Sequence, residues 1–517
     1  MTFNKNYLFI SLIAIFSFSI NFHYANIGVM PNDSFVLYNG GYRVLSGYIP
    51  FKDYWLITGP LLDYLNAFFF LIGGISWKSY ITHSSLFNLL ISLSTYFFLI
   101  TLKLNKNFSF FYSILFSLLM YPIVGTPFVD HHSTIFTILA YYLLIAGIKK
   151  NNTNLFLFIP FLMCLAFLSK QTPATYGLVC LIFIFFIYIL LNPNKFINIV
   201  KPLIYGSIFS FSFLIIFFYL SGIPFSGFFQ QYILFAKTIG GFRISNYDFN
   251  FNSVFLQYKF INLLLLILIF ILFKLPNKFD KNKKDFFIIL SSILLSLLLI
   301  FHQILTLNQN YIFFLIPFIT ALIHIFQDKV FKKKQILLYF SILICVYAVS
   351  KYHIRFNEHR KFNELEKINL TKAVDAKLLH NSLSGLRWIT SNYPDDPNSE
   401  INDLKEAMQI FKSDDRKKAL ITAYQFIAPA LSMYDYSPNQ WYHSTVSFPI
   451  KGQKYFSVYK KFFISNLKKN KTEIIYIIGK QTQNILNHTL SEKCFIQEKV
   501  GNIIYENVLI EKCEDFK

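Results

Sequence analysis

Acids are scarce in the first 350 residues of this 517-residue chain, so their places are informative. Eight occur there: Asp33, Asp53, Asp63, Asp130, Asp248, Asp280, Asp285 and Asp328. A carboxylate at a membrane boundary is costly unless it is paired or solvated, so one kept in an apolar stretch points to a polar site. Asp33, in Asn32-Asp33-Ser34, and Asp130, in Asp130-His131-His132-Ser133, each open a helical stretch. Each has two readings. One is a helix cap, which needs only a side-chain oxygen. The other is a general base, which needs hydrogen-bond reach to a reacting proton. Asp53 and Tyr54 follow Pro50 and precede Gly59-Pro60, and they read equally as interfacial anchors or substrate contacts. His131 and His132 invite a metal. Adjacent helical residues point about 100° apart, however, and paired His ligands on a helix stand four apart. At most one of them is expected to join Asp130. Lys170 and Gln171 lie in "LAFLSKQTPA", where the Lys either snorkels to headgroups or meets a phosphate. Gln231, Lys237 and Arg243 share a later loop with Asp248. His302 falls inside a late apolar run and Tyr311 begins the next.

The elements that must hold these residues follow from composition. The chain is 54% hydrophobic, 19% aromatic and 15% charged, against about 25% charged in soluble proteins. That excludes a soluble enzyme, a disordered chain and a disulfide-knotted domain. It leaves a multi-spanning membrane protein if the apolar residues form runs near 20 long. Such runs lie at 7–27, 81–102, 108–124, 133–148, 155–169, 175–191, 203–220, 260–273, 286–307, 311–326 and 335–350, predicting about eleven transmembrane helices. Alternate connections are Lys-rich: Lys103 and Lys106, Lys149 and Lys150, Lys195 and Lys201, then the groups at 274–284 and 329–334. The positive-inside rule assigns these to the cytoplasm, with the N-terminus. Asp33, Asp53, Asp63, Asp130 and Asp248 then share the outer face. The net charge of +21 is thereby read as topology, and nucleic-acid binding is not expected.

Residues 351–517 are less apolar and predict a small extracytoplasmic α/β domain beside the membrane domain at 1–350. Its helix is expected at 403–412 and its strands at 418–426, 472–479 and 502–511. Cys494 and Cys513 bracket the last strands, as a disulfide or as two free thiols. Cys164, Cys180 and Cys345 fall in spans as packing residues. Trp388, Trp441, Tyr434, Tyr436 and Tyr442 either pack a core or stack on a sugar. No nucleotide-binding, nucleophile-elbow or zinc pattern is present.

Taken in order, these residues resemble the integral-membrane glycosyltransferases of the GT-C superfamily. The similarity is to the family 39-like branch, related to protein O-mannosyltransferases and aminoarabinose transferases. It rests on Asp33 after the first span, "GYRVLSGYIPFKDYWLITGPLLDYL", "DHHSTIFTILAYYLL", "LAFLSKQTPA" and "NQNYIFFLIPFITAL". It covers most of residues 1–350. The resemblance implies a GT-C-like helical fold in the cytoplasmic (inner) membrane and sugar transfer on its outer face. The donor would be a polyprenyl-phosphate-linked sugar, and the acceptor a lipid, glycan or protein. It implies Asp33 as base, Asp130 as helper or metal ligand, and Lys170 on the donor phosphate. Where several relatives show Asp-Glu or Asp-x-Asp, this chain has Asn32-Asp33-Ser34, which leaves a divalent metal ion open. Substrate contacts are expected from Asp53, Tyr54, His131, His132, Lys170, Gln171, Lys237, Arg243, His302 and Tyr311. The alternative reading is a transporter or flippase for a polyprenyl-linked glycan. That would place polar residues mid-span on several helices, where this chain has mainly His302.

Overall fold

A computed structural model describes residues 5–121, 123–247, 250–275, 283–306, 311–331, 335–479 and 485–516. Asp248, Asp280 and Lys332, Lys333 and Lys334 lie outside the described residues. In chain order the helices are α1 (Lys5–Ala25), α2 (Pro31–Ser34), α3 (Val36–Leu45), α4 (Leu61–Gly73), α5 (Trp77–Thr101), α6 (Lys106–Met120), α7 (Val129–Lys150), α8 (Ile159–Ser169), α9 (Gln171–Leu190), α10 (Phe196–Ser221), α11 (Phe225–Phe228), α12 (Ala236–Ser245), α13 (Lys259–Lys274), α14 (Lys283–Leu305), α15 (Leu315–Phe331) and α16 (Ile336–His353). Every one of the eleven apolar runs overlaps a helix. Seven helical stretches, those containing α1, α5, α7, α9, α10, α14 and α16, are long and apolar enough to cross a membrane. The remaining four runs give α6, α8, α13 and α15, of 15, 11, 16 and 17 residues. These are short of the ~20 residues that span hydrocarbon at 1.5 Å each.

α7 is buried nearly all round, while α10 exposes most of its Phe and Ile side chains. This is the difference between a helix inside a bundle and one on its rim. At one end of the bundle, Lys149 of α7 lies 3.3 Å from Asp285 of α14, which also pairs with Lys329 of α15. Lys284 reaches Asn151 there at 2.9 Å. The cation-rich connections thus share one buried acid. The opposite end, where α7 begins and α14 finishes, carries α2, α3 and α4.

Beyond α16 the chain forms a two-residue pairing of β1 (Val374–Asp375) with β2 (Arg387–Trp388), then a four-stranded sheet. Its strands are β3 (Lys418–Thr422), β4 (Ile474–Ile478), β5 (Phe495–Lys499) and β6 (Ile504–Leu509), in the order β3-β4-β6-β5. β3 and β4 are parallel; β4–β6 and β6–β5 are antiparallel. β3 and β4 are buried on both faces and read as near-continuous apolar runs. Leu420, Ile474, Tyr476 and Ile478 join the cluster containing Leu404, Met408 and Phe411 of α17 (Pro397–Ser413). Ala419, Ile421, Ile475 and Ile477 join Tyr459, Phe463 and Leu467 of α19 (Phe456–Lys469) on the other face, with α18 (Ile427–Leu431) lying between the two in sequence. Cys494 and Cys513 are disulfide-bonded, with Cα atoms 5.2 Å apart.

No break in packing follows residue 350. α16 continues to His353, and one apolar cluster runs from the bundle through Trp388 to α17. Two backbone pairings stitch the first inter-helix segment to the C-terminal third. Gly28 and Val29 donate to Arg387 and Ile389, while Arg387 donates to Asn26. Trp55 donates to Pro438 at 2.7 Å, and Gln440 donates to Trp55 at 3.2 Å.

Candidate functional site

A cavity of about 1200 Å³, counting its open mouth, lies where α7 begins and α14 ends. Its wall includes Asp33, Asp130, Lys170, Gln171, Arg243 and His302 from the bundle side. It also includes Trp55, Thr58, Gln440, Trp441 and Ser447.

Asp33 is the third residue of α2, whose N-cap is Met30, and no side chain caps that helix. The cap reading therefore does not hold. No described side chain hydrogen-bonds or ion-pairs with the Asp33 carboxylate. Burial, then the negative charges of Asp130 and Glu364, push its carboxyl up to about 6. Asp130 is the second residue of α7, after Phe128, and caps nothing either. It is buried, with Lys170 Nζ at 3.8 Å and the imidazole Nε2 of His302 at 3.5 Å. His302 also lies 3.4 Å from the Thr172 hydroxyl. Lys170 does not snorkel away, because its backbone is held on both sides. Ser133 Oγ donates to the Lys170 carbonyl at 3.1 Å, and Gly59 N donates to Ser169 O at 3.0 Å. A Cβ on Gly59 would stand 1.8 Å from the Leu168 carbonyl, so only Gly admits this approach. The "TGP" turn and the "LSKQ" turn are thereby locked together.

Gln171 donates to the carbonyls of Ile57 and Tyr232 and holds α9 to the same wall. Arg243, partly buried on α12, faces the cavity; Lys237, on the same helix, is exposed and off the wall. Neither His131 nor His132 lines it. His131 turns inward to the Met120 carbonyl. His132 lies 3.1 Å from His83, whose other nitrogen is 2.7 Å from Asn66 Oδ1. Tyr311 is buried behind the wall, its ring 6.5 Å from those of His131 and His302. Asp53 accepts from Ile49 N at 2.8 Å and pairs with Lys469 at 2.6 Å, which fixes a turn away from the cavity. Tyr54 is buried and donates to Asp63 at 2.8 Å. Among the described residues, no three His, Cys, Asp or Glu side chains converge as a metal cage.

The C-terminal contribution to the wall is not visible in sequence. It depends on a buried polar network. Arg43 pairs with Asp435 at 2.6 Å and donates to Asn439 O at 2.9 Å. Asn39 donates to Asp435 at 3.0 Å, and Gln440 donates to Asp63 at 2.8 Å. A Cβ on Gly40 would fall 2.1 Å from Asp63 Oδ1, so α3 needs Gly there to seat the network. Of the aromatics named from sequence, Trp388 is buried and donates to Glu400, and Tyr442 is buried against Ser437. Tyr434 is exposed, and Trp441 alone of the five reaches the cavity.

The class that fold and site define is a helical protein with membrane-length apolar helices and one charged cavity at a bundle end. No protein family model matches the chain, and no curated protein matches it.

Proposed function

We propose that this chain is an integral-membrane glycosyltransferase of the GT-C type. It transfers a sugar from a polyprenyl-phosphate donor to an acceptor on the extracytoplasmic face. In this reading eleven helices cross the cytoplasmic membrane. The Lys149–Asp285–Lys329 end is cytoplasmic, and residues 351–517 form an outer domain over the cavity. One observation carries the proposal: an unpaired, partly buried carboxylate, Asp33, shares a cavity with the Lys170–Asp130–His302 cluster.

The chemistry follows from that arrangement. The acceptor's hydroxyl or amine attacks the sugar's anomeric carbon, and its proton passes to Asp33. The bond from that carbon to the phosphate oxygen breaks, and the electron pair leaves with the phosphate. Lys170 and Arg243 neutralise the charge that develops there. Asp130 keeps Lys170 and His302 aimed into the cavity. A base with a carboxyl near 6 is mostly ionised at neutral pH, yet basic enough to take a proton. Apolar residues on the same wall, among them Leu37, Ile57, Ile239 and Leu305, suit the first prenyl units of a donor.

The test is release of polyprenyl phosphate by purified protein in nanodiscs, over a panel of polyprenyl-phosphate sugars and candidate acceptors. Asp33→Asn and Asp130→Asn run beside the wild type. Release with one donor, lost in both variants, upholds the proposal. No release with any donor, from folded protein, sinks it.

A further inference from the structure

The cavity has two walls of different chemistry. Lys170 and Arg243 supply cationic groups on the bundle side, with the His302 imidazole beside them. The segment from Gln440 to Ser447, with Thr58 opposite, supplies neutral hydrogen-bonding groups and an aromatic ring and no charge. That segment is rigid. Ser447 Oγ donates to the Trp441 carbonyl at 2.7 Å and accepts from His443 N at 2.7 Å. Gln440 is fixed through Asp63, and its backbone through Trp55.

The four tryptophans divide by their indole N–H groups. Trp77 donates to Asn26 and Trp388 to Glu400, as structural tryptophans do. Trp55 and Trp441, the two on the cavity wall, have buried indole nitrogens with no acceptor among the described residues. Buried donors without acceptors are uncommon and call for an explanation. Neither nitrogen is exposed to the cavity, so a ligand there meets the Trp441 ring and not its N–H. Trp441 is only partly buried, and it adds an aromatic surface to the wall.

We infer that residues 440–447 form a carbohydrate-binding wall, in which Trp441 stacks on an uncharged, hydroxyl-bearing sugar ring. The inference rests on the proposed function for the phosphate half of the cavity and adds the ligand class of the other half. Trp441 is a specificity residue here and takes no part in proton transfer. The ring belongs to the donor or to a saccharide acceptor, and the two sources are separable.

The experiment uses the full chain in nanodiscs and titration calorimetry. The probes are a short-chain polyprenyl-phosphate sugar, the bare polyprenyl phosphate, and a soluble saccharide acceptor. The variants are Trp441→Ala and Trp441→Phe; the Phe variant keeps a ring and guards against loss of folding. If the donor supplies the ring, the wild type binds the sugar-bearing lipid about tenfold tighter than the bare one (~1.4 kcal/mol). Trp441→Ala removes that increment, Trp441→Phe keeps part of it, and affinity for the bare phosphate stays within about twofold. If the acceptor supplies it, the increment survives, and the acceptor KM rises about tenfold in Trp441→Ala while kcat holds. If neither quantity moves, the carbohydrate wall is overturned, while phosphate binding lost in Lys170→Gln leaves the transfer reading standing. If no polyprenyl phosphate binds, the transfer reading fails. Saccharide binding lost only in Trp441→Ala then still upholds the wall, and its absence from the wild type overturns it.

Discussion

Replacing Asp33 by Asn removes a negative charge that no described residue compensates. Its carboxyl is raised to about 6, so the folded state holds the proton more tightly than the unfolded state. The stability it contributes is complete below the ordinary carboxylate range and is lost as pH rises through about 6. At pH 7.5 the charged carboxylate therefore costs stability, and Asp33→Asn is expected to melt no lower than wild type. A scanning-fluorimetry midpoint that falls instead would mean a structural role. Transfer in the same variant is expected to drop by about 10²-fold or more. In the wild type, kcat/KM should fall as pH drops through about 6, which a pH–rate profile reads directly. The titratable and charged candidates were legible from type and place: Asp33, Asp130, Lys170, Arg243 and His302 all line the cavity. The phase of α7 was not. Nearly all its faces are buried, so no polar side marks which neighbour of Asp130 turns inward. His131 and His132 consequently bind Met120 and His83 instead.

Two glycines and one ion pair decide whether the elements meet. Gly59→Ala drives a Cβ into the Leu168 carbonyl and must separate the turn from Lys170. Overpacking of this kind costs about 1–3 kcal/mol. The variant should lose transfer along with stability, read by urea midpoint and by the release assay. Arg43 and Asp435 are a buried pair. Removing one partner alone, as in Asp435→Ala, strands a buried guanidinium and is expected to cost about 3–5 kcal/mol. The double change Arg43→Met with Asp435→Leu should recover most of that, and a full double-mutant cycle measures it. A cycle with no coupling would refute the pairing. Helices and the strands β3 and β4 were readable because apolar runs of different length encode them. β5 was missed because four of its five residues are exposed, so neither alternation nor a continuous run marks it. Trp441 was among the sugar-stacking candidates, but its place beside Gln440 on the wall was illegible, because Gln440 is held by Asp63, 377 residues away.

At the scale of the molecule, the C-terminal third completes the cavity. The Cys494–Cys513 bond closes a loop of sequence separation 19 beside β5 and β6. Chain-entropy arithmetic values it at about 3 kcal/mol. Cys494→Ala with Cys513→Ala should lower the melting midpoint. The bond tethers the far edge of the sheet, so transfer at low temperature should be retained. An unchanged midpoint would show that the bond does not form in the purified protein.

The pairing of Gln440 with Asp63 joins residues 377 positions apart. A ribosome adding ~5–20 residues per second makes Asp63 roughly 20–75 s before Gln440 exists. Throughout that interval Arg43 lacks Asp435 and Asp63 lacks Gln440, keeping only Tyr54, and the nascent protein has half a cavity. Newborn chains then carry a buried-pair guanidinium without its carboxylate and an incomplete cavity wall. Premature termination before residue 435 is expected to yield short-lived, inert fragments, which pulse–chase labelling of a stop codon at Asp414 would reveal. The cavity is therefore complete only once residues 440–447 have been made.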